Sequence, residues 1–270
     1  MLLKKRKKDA MKHGLMIDMD GVIYAGEELI KGADVFVKRL LKDKVPFTFL
    51  SNNSSKSRAD AVEKLAKLGI NVTEKHIYTS AMATATFLTE HYKDCSVHVL
   101  GEGGLLKSLK NAGIRIVDKK PDLVILGEGQ EFSLDRVHKA VDMILAGARF
   151  IATNRDPSPR REGWNNLGIA ATAAMIEEAS GREPFVIGKP SPVMMRSAAA
   201  YMGLKPEDVT VIGDTMETDI IGGIYMGFKT VLVLSGIADR EQLIKYGYRP
   251  HLVVNSVDKI EFPLKWWTKH

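Results

Sequence analysis

The chain has 270 residues, of which 45% are hydrophobic and 27% charged, and this describes an ordinary soluble globular protein of one or two domains with an ample core. No run of residues approaches the roughly 18 to 20 apolar residues that a membrane span needs. Cys95 is the single cysteine, which excludes an internal disulfide and fits a reducing cytoplasm.

The positive charge is concentrated at the N-terminus. The chain has a formal net charge of +6, and residues 1–12 carry six basic residues and one acid, which leaves only +1 for everything that follows. No apolar segment follows the basic residues, so we do not expect a secretory signal here. We interpret 1–12 as a solvated basic tail, with loose binding to polyanions as the alternative, and we expect no specific nucleic-acid partner.

Short apolar runs alternate with amphipathic stretches along the rest of the chain. The predicted strands are 14–18, 46–51, 97–100, 122–126, 149–153, 209–213, 230–234 and 251–254. The predicted helices are about 33–43, 57–68, 80–91, 104–112, 133–147, 166–180, 191–202 and 217–226. Such alternation predicts βαβ units and an α/β fold with a doubly wound, mostly parallel sheet.

Two acids end the first predicted strand, in "LMIDMDGVIY" (15–24). A single aspartate there would be interpreted as a turn residue. The pair Asp18 and Asp20, however, concentrates negative charge at the carboxyl end of a strand, where open α/β sheets bind ligands. A calcium loop also begins D-x-D, but the places that need an oxygen ligand, glycine and glutamate hold Val22, Ile23 and Leu29. The calcium-loop interpretation is therefore excluded.

Polar groups follow three further predicted strands. They occur in "FTFLSNNSS", "FVIGKPSP" and "VTVIGDTMETD", and the residues concerned are Ser51, Asn52, Lys189, Asp214, Thr215, Thr218 and Asp219. Each alone has a structural interpretation, as a helix cap, a surface cation or a turn residue. Together with the aspartate pair after the first strand, polar groups follow four strands of one chain, and this instead predicts a site for phosphoryl transfer.

The residue types suit that chemistry. Asp18 is a carboxylate nucleophile that can form an aspartyl-phosphate, and Asp20 can protonate the leaving oxygen and then activate water. Asp18 and Asp214 are oxygen ligands for Mg²⁺. Ser51 and the amides beside it can hold phosphoryl oxygens, and Lys189 can balance the charge of the transition state.

Three residues of the last motif have other predicted roles. We expect Asp219 to lie behind the metal ligands, where it orients Lys189 or a metal-bound water. Thr215 and Thr218 are candidate substrate-binding residues.

The motifs "DMDGV", "SNNSS", "GKPSP" and "GDTMETD" resemble, in this order, the four motifs of the haloacid dehalogenase (HAD) superfamily of phosphatases. "YTSAMATATFL", "GARFIATN" and "VLVLSG" are similar to its NagD-like and 4-nitrophenylphosphatase-like subfamily with a class IIA cap. The resemblance covers nearly the whole chain after the tail. It implies a Rossmann-like HAD core, Mg²⁺ bound by Asp18, Asp214 and the main-chain carbonyl of Asp20, and Asn52 as a further phosphate-binding residue.

The spacing of the motifs predicts a second domain. From Asp18 to Ser51 there is room for one helix and one strand, whereas the interval from Ser51 to Lys189 is far longer than one such unit needs. We therefore expect an α/β cap at 88–183, inserted into a core made of 13–87 and 184–270. Such a lid would exclude water from the aspartyl-phosphate.

Substrate discrimination is expected from a polar loop late in this cap, "TNRDPSPRREGWNN" (153–166). The candidate residues, which can hydrogen-bond to a nucleoside or stack on it, are Asn154, Asp156, Arg160, Arg161 and Trp164. The alternative is a solvated loop with a turn at Asp156 and Pro157.

Two short segments of the cap repeat one pattern, a strand followed by a glycine turn. These are "VLGEGG" (99–104) and "ILGEGQ" (125–130). We favour tight strand-to-helix turns over a phosphate cradle.

The function expected from the sequence is Mg²⁺-dependent hydrolysis of phosphomonoesters in the cytoplasm, first of all nucleoside monophosphates. Sugar phosphates, phosphoglycolate and pyridoxal phosphate are the alternative substrates. A dehalogenase would not need Asp20, and a phosphomutase usually carries its cap between the first two motifs. A receiver-like or phosphometabolite-binding module without catalysis is the alternative from another class. The expected partner is a small phosphorylated metabolite, with no membrane and with oligomerisation left open.

Overall fold

The computed structural model describes residues 13–129, 133–157 and 168–267. The predicted basic tail at 1–12 lies outside these residues. The strands are β1 Gly14–Ile17, β2 Tyr24–Ala25, β3 Glu28–Leu29, β4 Phe47–Ser51, β5 Ile77–Thr79, β6 Ser96–Leu100, β7 Arg115–Ile116, β8 Leu123–Leu126, β9 Arg149–Ala152, β10 Phe185–Val186, β11 Val209–Gly213, β12 Lys229–Val233 and β13 Leu252–Val254.

Helices connect most of these strands. They are α1 Ala33–Asp43, α2 Arg58–Lys67, α3 Ser80–His91, α4 Gly104–Asn111, α5 Leu134–Leu145, α6 Gly168–Ser180, α7 Pro192–Met202 and α8 Ile221–Tyr225. Within the described part of the chain, no helix is both long and apolar enough to cross a membrane.

The chain forms two compact units. The first takes in Ala61–Tyr78 together with the chain up to Leu50 and from Met195 onward, and the second consists of Ser51–Asp60 and Thr79–Met194. The α/β fold predicted from the sequence is confirmed. The predicted boundaries of the cap, 88–183, stay a prediction.

The first unit is built on a six-stranded sheet with the order β13-β12-β11-β1-β4-β5. Its central strand β1 pairs in parallel with β11 on one side and with β4 on the other. All four residues of β1 are buried, because both faces of a parallel sheet are covered. Leu15 and Ile17 pack in one core with Phe36, Val37 and Leu40 of α1.

This strand order creates a switch point between β1 and β11. The chain runs from β1 outward through β4 and β5, and it later returns to β11 and runs outward in the other direction through β12 and β13. Ligands of open α/β sheets bind at the carboxyl ends of the strands at such a point. A ligand site is therefore expected at the residues that follow β1 and β11.

The second unit contains a five-stranded sheet with the order β10-β9-β8-β6-β7, in which the pairings are parallel. Leu100, Val124 and Leu126 of its strands pack with Val137 of α5 and Ile176 of α6. The second unit is therefore an α/β unit, and its assignment as the cap expected from the sequence stays a prediction.

The predicted elements agree with the structure to within one or two residues at their ends, apart from one helix. The predicted helix 217–226 begins instead with a π-helical turn, Met216–Ile220, before α8. Five short strands were not predicted, namely β2, β3, β5, β7 and β10. Each has only two or three residues, which is too few to show an alternation of apolar and polar residues.

Candidate active site

Asp18 lies directly after the central strand of the first sheet and is half-buried. Its main-chain N–H donates to the carbonyl of Ile212 in β11 at 2.9 Å, so the ladder between β1 and β11 continues to this residue. The hydrogen bond fixes the backbone of Asp18 at the switch point of the sheet.

Asp20 begins the turn that leads into the short β2–β3 hairpin, and its side chain is exposed. It forms an isolated bridge with Tyr24, and the N–H of Gly21 donates to the Tyr24 carbonyl at 2.7 Å. Gly21 has a φ of +78°, and a Cβ there would lie 2.2 Å from Oδ2 of Asp214. Only glycine therefore allows both this turn and the adjacent carboxylate.

Asp214 follows β11 and is 2% exposed. Its Oδ2 accepts the N–H of Ile237 at 2.7 Å, and its Oδ1 accepts the hydroxyl of Thr215 at 3.0 Å. A Cβ on Gly236 would lie 1.9 Å from Oδ2, so a glycine is needed here too. The carboxylate is held in one orientation at the end of its strand.

Asp219 reaches the same place from the π-helical turn that follows β11, and it is 1% exposed. Its N–H donates to the carbonyl of Thr215 at 3.1 Å, and the Thr218 hydroxyl donates to its Oδ2 at 3.4 Å. A Cβ on Gly213 would lie 2.2 Å from the Asp219 Cβ. Single π-helical turns are frequent at functional sites, because they redirect a side chain within a helix.

These three acids form a cluster. One carboxylate oxygen from each of Asp18, Asp214 and Asp219 lies within 4.8 Å of the others. Like charges this close repel strongly where water is excluded, and two of the three residues are buried. Three carboxylates are also the donor set that a hard divalent cation prefers. The residues present therefore fit a Mg²⁺ ion.

The cluster differs in membership from the predicted ligand set. Asp219 was expected behind the metal ligands, and one of its carboxylate oxygens lies within 4.8 Å of those of Asp18 and Asp214. Its predicted orienting role stays a prediction. Among the described residues, the carboxyl of Asp20 is not part of the cluster. The predicted use of the Asp20 main-chain carbonyl stays a prediction. The hydroxyls of Thr215 and Thr218, expected at the substrate, hydrogen-bond to the acids.

The second unit contains the other predicted phosphate-binding groups. Ser51 is the last residue of β4, and its Oγ accepts the N–H of Asn53 at 3.1 Å. Asn52 is buried, and its Oδ1 accepts the Lys189 N–H at 2.7 Å while its Nδ2 donates to the Lys189 carbonyl at 3.1 Å. Because Nδ2 also donates to Asp156, its two hydrogens are both used within the unit. A contact of Asn52 with phosphate would thus have to come from its main chain.

Lys189 is 4% exposed and follows the short strand β10. The N–H of the preceding Gly188 donates to the carbonyl of Thr153 at 2.8 Å. A Cβ on Gly188 would lie 2.4 Å from that carbonyl and 2.7 Å from Oδ1 of Asn52. Glycine is therefore required for the close approach that brings Lys189 to Asn52.

The predicted specificity loop has two residues near its start, Asn154 and Asp156, that hydrogen-bond to other residues of the second unit. Asn154 is 1% exposed, and its Nδ2 donates to the carbonyl of Asn52 and to Oε1 of Glu128, each at 2.8 Å. Its Oδ1 accepts the N–H of Asp156 at 2.9 Å, and Asp156 in turn accepts from Asn52. The predicted contacts of Asn154 and Asp156 with substrate stay predictions.

The remaining residues predicted in this loop lie outside the described residues. They are Arg160, Arg161 and Trp164.

One functional candidate was missed by the sequence analysis. Glu128, in the turn after β8, accepts hydrogen bonds from the N–H and the hydroxyl of Ser54 as well as from Asn154. Burial of the carboxyl raises the pKa of Glu128, while the hydrogen bonds from Ser54 and Asn154 act in the opposite direction. The signal in the sequence was a glutamate in a glycine turn, "ILGEGQ", which was interpreted through its glycines alone.

Comparison with known families gives two matches. The family described as haloacid dehalogenase-like hydrolase matches residues 15–115. The family described as HAD-hydrolase-like matches residues 186–260. The two matched segments contain the acids of the cluster and Lys189.

Individual proteins match over nearly their whole length. A dihydroxyacetone phosphatase of Corynebacterium glutamicum is 41% identical over 242 residues, which are 90% of this chain and 88% of that protein. The ribonucleotide monophosphatase NagD of Escherichia coli is 37% identical over 247 residues, 92% of this chain and 97% of that protein.

Solved structures agree with the sequence matches. The structure of NagD from E. coli superimposes with a TM-score of 0.88 and covers 92% of this chain and 98% of that one, at 36% identity. A glycerol phosphate phosphatase of Mycobacterium tuberculosis in complex with magnesium has a TM-score of 0.85 at 27% identity, and the alignment covers 92% of this chain and 76% of that one.

Proposed function

Because this chain belongs to the haloacid dehalogenase-like hydrolases and is a phosphatase of their NagD-like subfamily, we propose that it hydrolyses small phosphomonoesters through an aspartyl-phosphate on Asp18 with the help of Mg²⁺. The observation that carries this proposal is the cluster of Asp18, Asp214 and Asp219 at the switch point of the first sheet.

In the proposed reaction the Asp18 carboxylate attacks phosphorus, and the bond between phosphorus and the ester oxygen breaks. Asp20 donates its proton to the departing oxygen. Asp20 then takes a proton from a water molecule, which attacks the phosphorus of the aspartyl-phosphate and releases inorganic phosphate with Asp18 restored. The exposure of Asp20 supports this role, because a general acid must reach both the leaving group and the incoming water.

The residues that would hold Mg²⁺ are Asp18, Asp214 and Asp219. The chemistry that a bound Mg²⁺ supplies is charge neutralisation between the nucleophilic carboxylate and the anionic phosphoryl group. Hydrogen bonds from the Ile237 N–H and the Thr215 hydroxyl fix the orientation of the Asp214 carboxylate for this role. The magnesium complex of the related glycerol phosphate phosphatase further supports it.

In the same proposal, Ser51 and Lys189 bind the phosphoryl oxygens and offset the charge that develops on them. The burial of Lys189 supports this role, since a fixed cation in a place with little water acts on a bound anion more strongly than a solvated one. Asn52 contributes by holding the main chain of Lys189.

We assign nucleoside monophosphates as the first substrate class, supported by the 37% identity to NagD. Three-carbon phosphates are the second candidate, because the dihydroxyacetone phosphatase of C. glutamicum is 41% identical over 90% of this chain. In either case the leaving group is an alkoxide, so the same roles of Asp18 and Asp20 apply.

The test is a screen for release of inorganic phosphate, in which nucleoside monophosphates, dihydroxyacetone phosphate, sugar phosphates, phosphoglycolate and pyridoxal phosphate are compared with and without Mg²⁺. The proposal predicts turnover that requires Mg²⁺ and a higher kcat/KM for one metabolite class than for p-nitrophenyl phosphate. Turnover that persists after exhaustive chelation would contradict the role of the metal. An enzyme without activity on any of these esters would contradict the proposed function.

A further inference from the structure

Glu128 connects two loops of the second unit through hydrogen bonds. One is Ser51–Ser54, which continues from β4, and the other begins with Thr153 and Asn154 after β9. One carboxylate oxygen of Glu128 accepts from Ser54 and the other accepts from Asn154 at 2.8 Å. The N–H of Glu128 donates back to the Ser54 hydroxyl at 2.9 Å.

The Glu128 side chain accepts hydrogen bonds on both of its oxygens. Oε2 accepts both the N–H and the hydroxyl of Ser54, and Oε1 accepts the Nδ2 of Asn154. The Ser54 hydroxyl can donate in this direction because it already accepts from the N–H of Glu128 and from Thr153 at 3.1 Å. Glutamate can accept hydrogen bonds on both of its side-chain oxygens, whereas the amide of glutamine has one oxygen that accepts and one nitrogen that donates.

A chain of hydrogen bonds runs from Glu128 to Asn52, whose side chain binds the main chain of Lys189. The Nδ2 of Asn154 donates to Oε1 of Glu128 and also to the carbonyl of Asn52. The side chain of Asn52 then holds the N–H and the carbonyl of Lys189. Changing the position of Glu128 would therefore displace Asn154, Asn52 and Lys189 in turn.

We infer that Glu128 is a positioning residue for phosphate binding, which fixes the Ser51–Ser54 loop through Ser54 and the main chain of Lys189 through Asn154 and Asn52. The inference rests on the proposed function, since it concerns the groups that would bind the phosphoryl oxygens. Glu128 itself need not contact substrate. Its effect is on the position of groups that a phosphate ester would use.

Replacement by glutamine tests this assignment with almost no change in shape. A glutamine amide would direct an NH₂ group either at the donors of Ser54 or at the Nδ2 of Asn154, so that two donors face each other. Asn154 cannot relieve the conflict by rotating its amide, because it would lose its bonds to Asn52 and Asp156. Glu128→Gln therefore breaks the connection between the two loops while keeping the volume of the side chain.

The measurement is the steady-state kinetics of Glu128→Gln with p-nitrophenyl phosphate, together with inhibition by inorganic phosphate. We expect KM and the inhibition constant of phosphate to rise by about ten-fold each, the scale of one buried donor left unsatisfied, and kcat to fall by less than about three-fold. The Mg²⁺ concentration that gives half-maximal activity should stay unchanged, because the acid cluster belongs to the first unit.

The matched control is Glu102→Gln, which changes the exposed glutamate at the same place of the other glycine turn, "VLGEGG". It should leave all constants at the wild-type values. A purely structural role of Glu128 would lower the fraction of active enzyme, so that kcat falls while KM and the phosphate inhibition constant do not change. That result would overturn the inference.

Ser54→Ala provides a second variant in case Glu128→Gln does not fold. It keeps the N–H bond from residue 54 to Glu128 and removes the hydroxyl bonds, so KM should rise in the same direction by a smaller factor. A folded Ser54→Ala enzyme with wild-type KM would overturn the inference. A wild-type enzyme that releases no phosphate would instead contradict the proposed function and remove the premise of the inference with it.

Discussion

Asn52 and Lys189, although far apart in the sequence, are joined by two hydrogen bonds between a side-chain amide and a main chain. The Oδ1 of Asn52 accepts the Lys189 N–H at 2.7 Å, and its Nδ2 donates to the Lys189 carbonyl at 3.1 Å. The amide therefore reproduces the hydrogen-bond pattern of a neighbouring strand and fixes the backbone from which the buried Lys189 side chain extends.

The first prediction follows from this pair. Asn52→Asp replaces the donor with an acceptor that faces the Lys189 carbonyl and the Asp156 carboxylate. Loss of the two bonds and the new repulsion should lower kcat/KM for p-nitrophenyl phosphate by about 10- to 100-fold. The control is Asn53→Asp, which adds the same charge one residue away but keeps its acceptor for the Lys56 N–H. Equal losses in the two variants would show that charge alone is responsible.

A second prediction distinguishes a metal ligand from an orienting group. If Asp219 binds Mg²⁺ as Asp214 does, Asp219→Asn and Asp214→Asn should both raise the Mg²⁺ concentration for half-maximal activity by about ten-fold or more. High Mg²⁺ should then recover part of the rate in each variant. An Asp219→Asn enzyme that has a lower kcat but a wild-type requirement for Mg²⁺ would return Asp219 to the orienting role predicted from the sequence.

A third prediction concerns the space beside Asp214. Gly21→Ala and Gly69→Ala each place a Cβ on a residue with positive φ, +78° and +81°, and this backbone strain should cost about 1–2 kcal/mol of unfolding free energy in Gly69→Ala and more in Gly21→Ala. Only the Cβ at Gly21 would meet Asp214, at 2.2 Å, whereas the one at Gly69 meets no described atom within 4 Å. Activity and Mg²⁺ affinity should therefore fall in Gly21→Ala alone. Denaturant unfolding and Mg²⁺ titration measure the two effects separately.

The fourth prediction separates two residues of the predicted specificity loop. Because Asp156 accepts from Asn52 and donates its N–H to Asn154, Asp156→Ala should lower kcat/KM for a natural ester and for p-nitrophenyl phosphate by similar factors. Trp164→Ala should lower it for the natural ester by about 1–3 kcal/mol of transition-state binding, the scale of one pocket contact, and much less for the minimal ester. A selective loss in Asp156→Ala would assign substrate recognition to this carboxylate instead.

The sequence predicted the parts of the site that follow long buried strands. Asp18 and Asp214 were found because each comes directly after an apolar run, and such runs are visible without knowledge of the fold. The π-helical turn that carries Asp219 was not predicted, because its sequence also suits a regular helix.

The burial of polar residues in the second unit was also not predicted, for a different reason. Asn154 was interpreted as a residue of a polar loop that could hydrogen-bond to the substrate. Its burial is explained by two partners from other parts of the chain, Asn52 and Glu128, in addition to the neighbouring Asp156. A polar side chain whose amide hydrogens are both bound by distant residues has no local signature of that burial in the sequence.

The central claim is that Asp18 becomes phosphorylated during turnover. The most direct measurement is to mix enzyme with a good substrate, quench in acid, reduce the acyl phosphate with borohydride and identify the modified residue by mass spectrometry. The account predicts homoserine at position 18 in the wild-type enzyme only when substrate was present, and none in Asp18→Asn, which should also retain less than about 1% of the activity. Phosphate release at the wild-type rate from Asp18→Asn, or modification at a different residue, would contradict it.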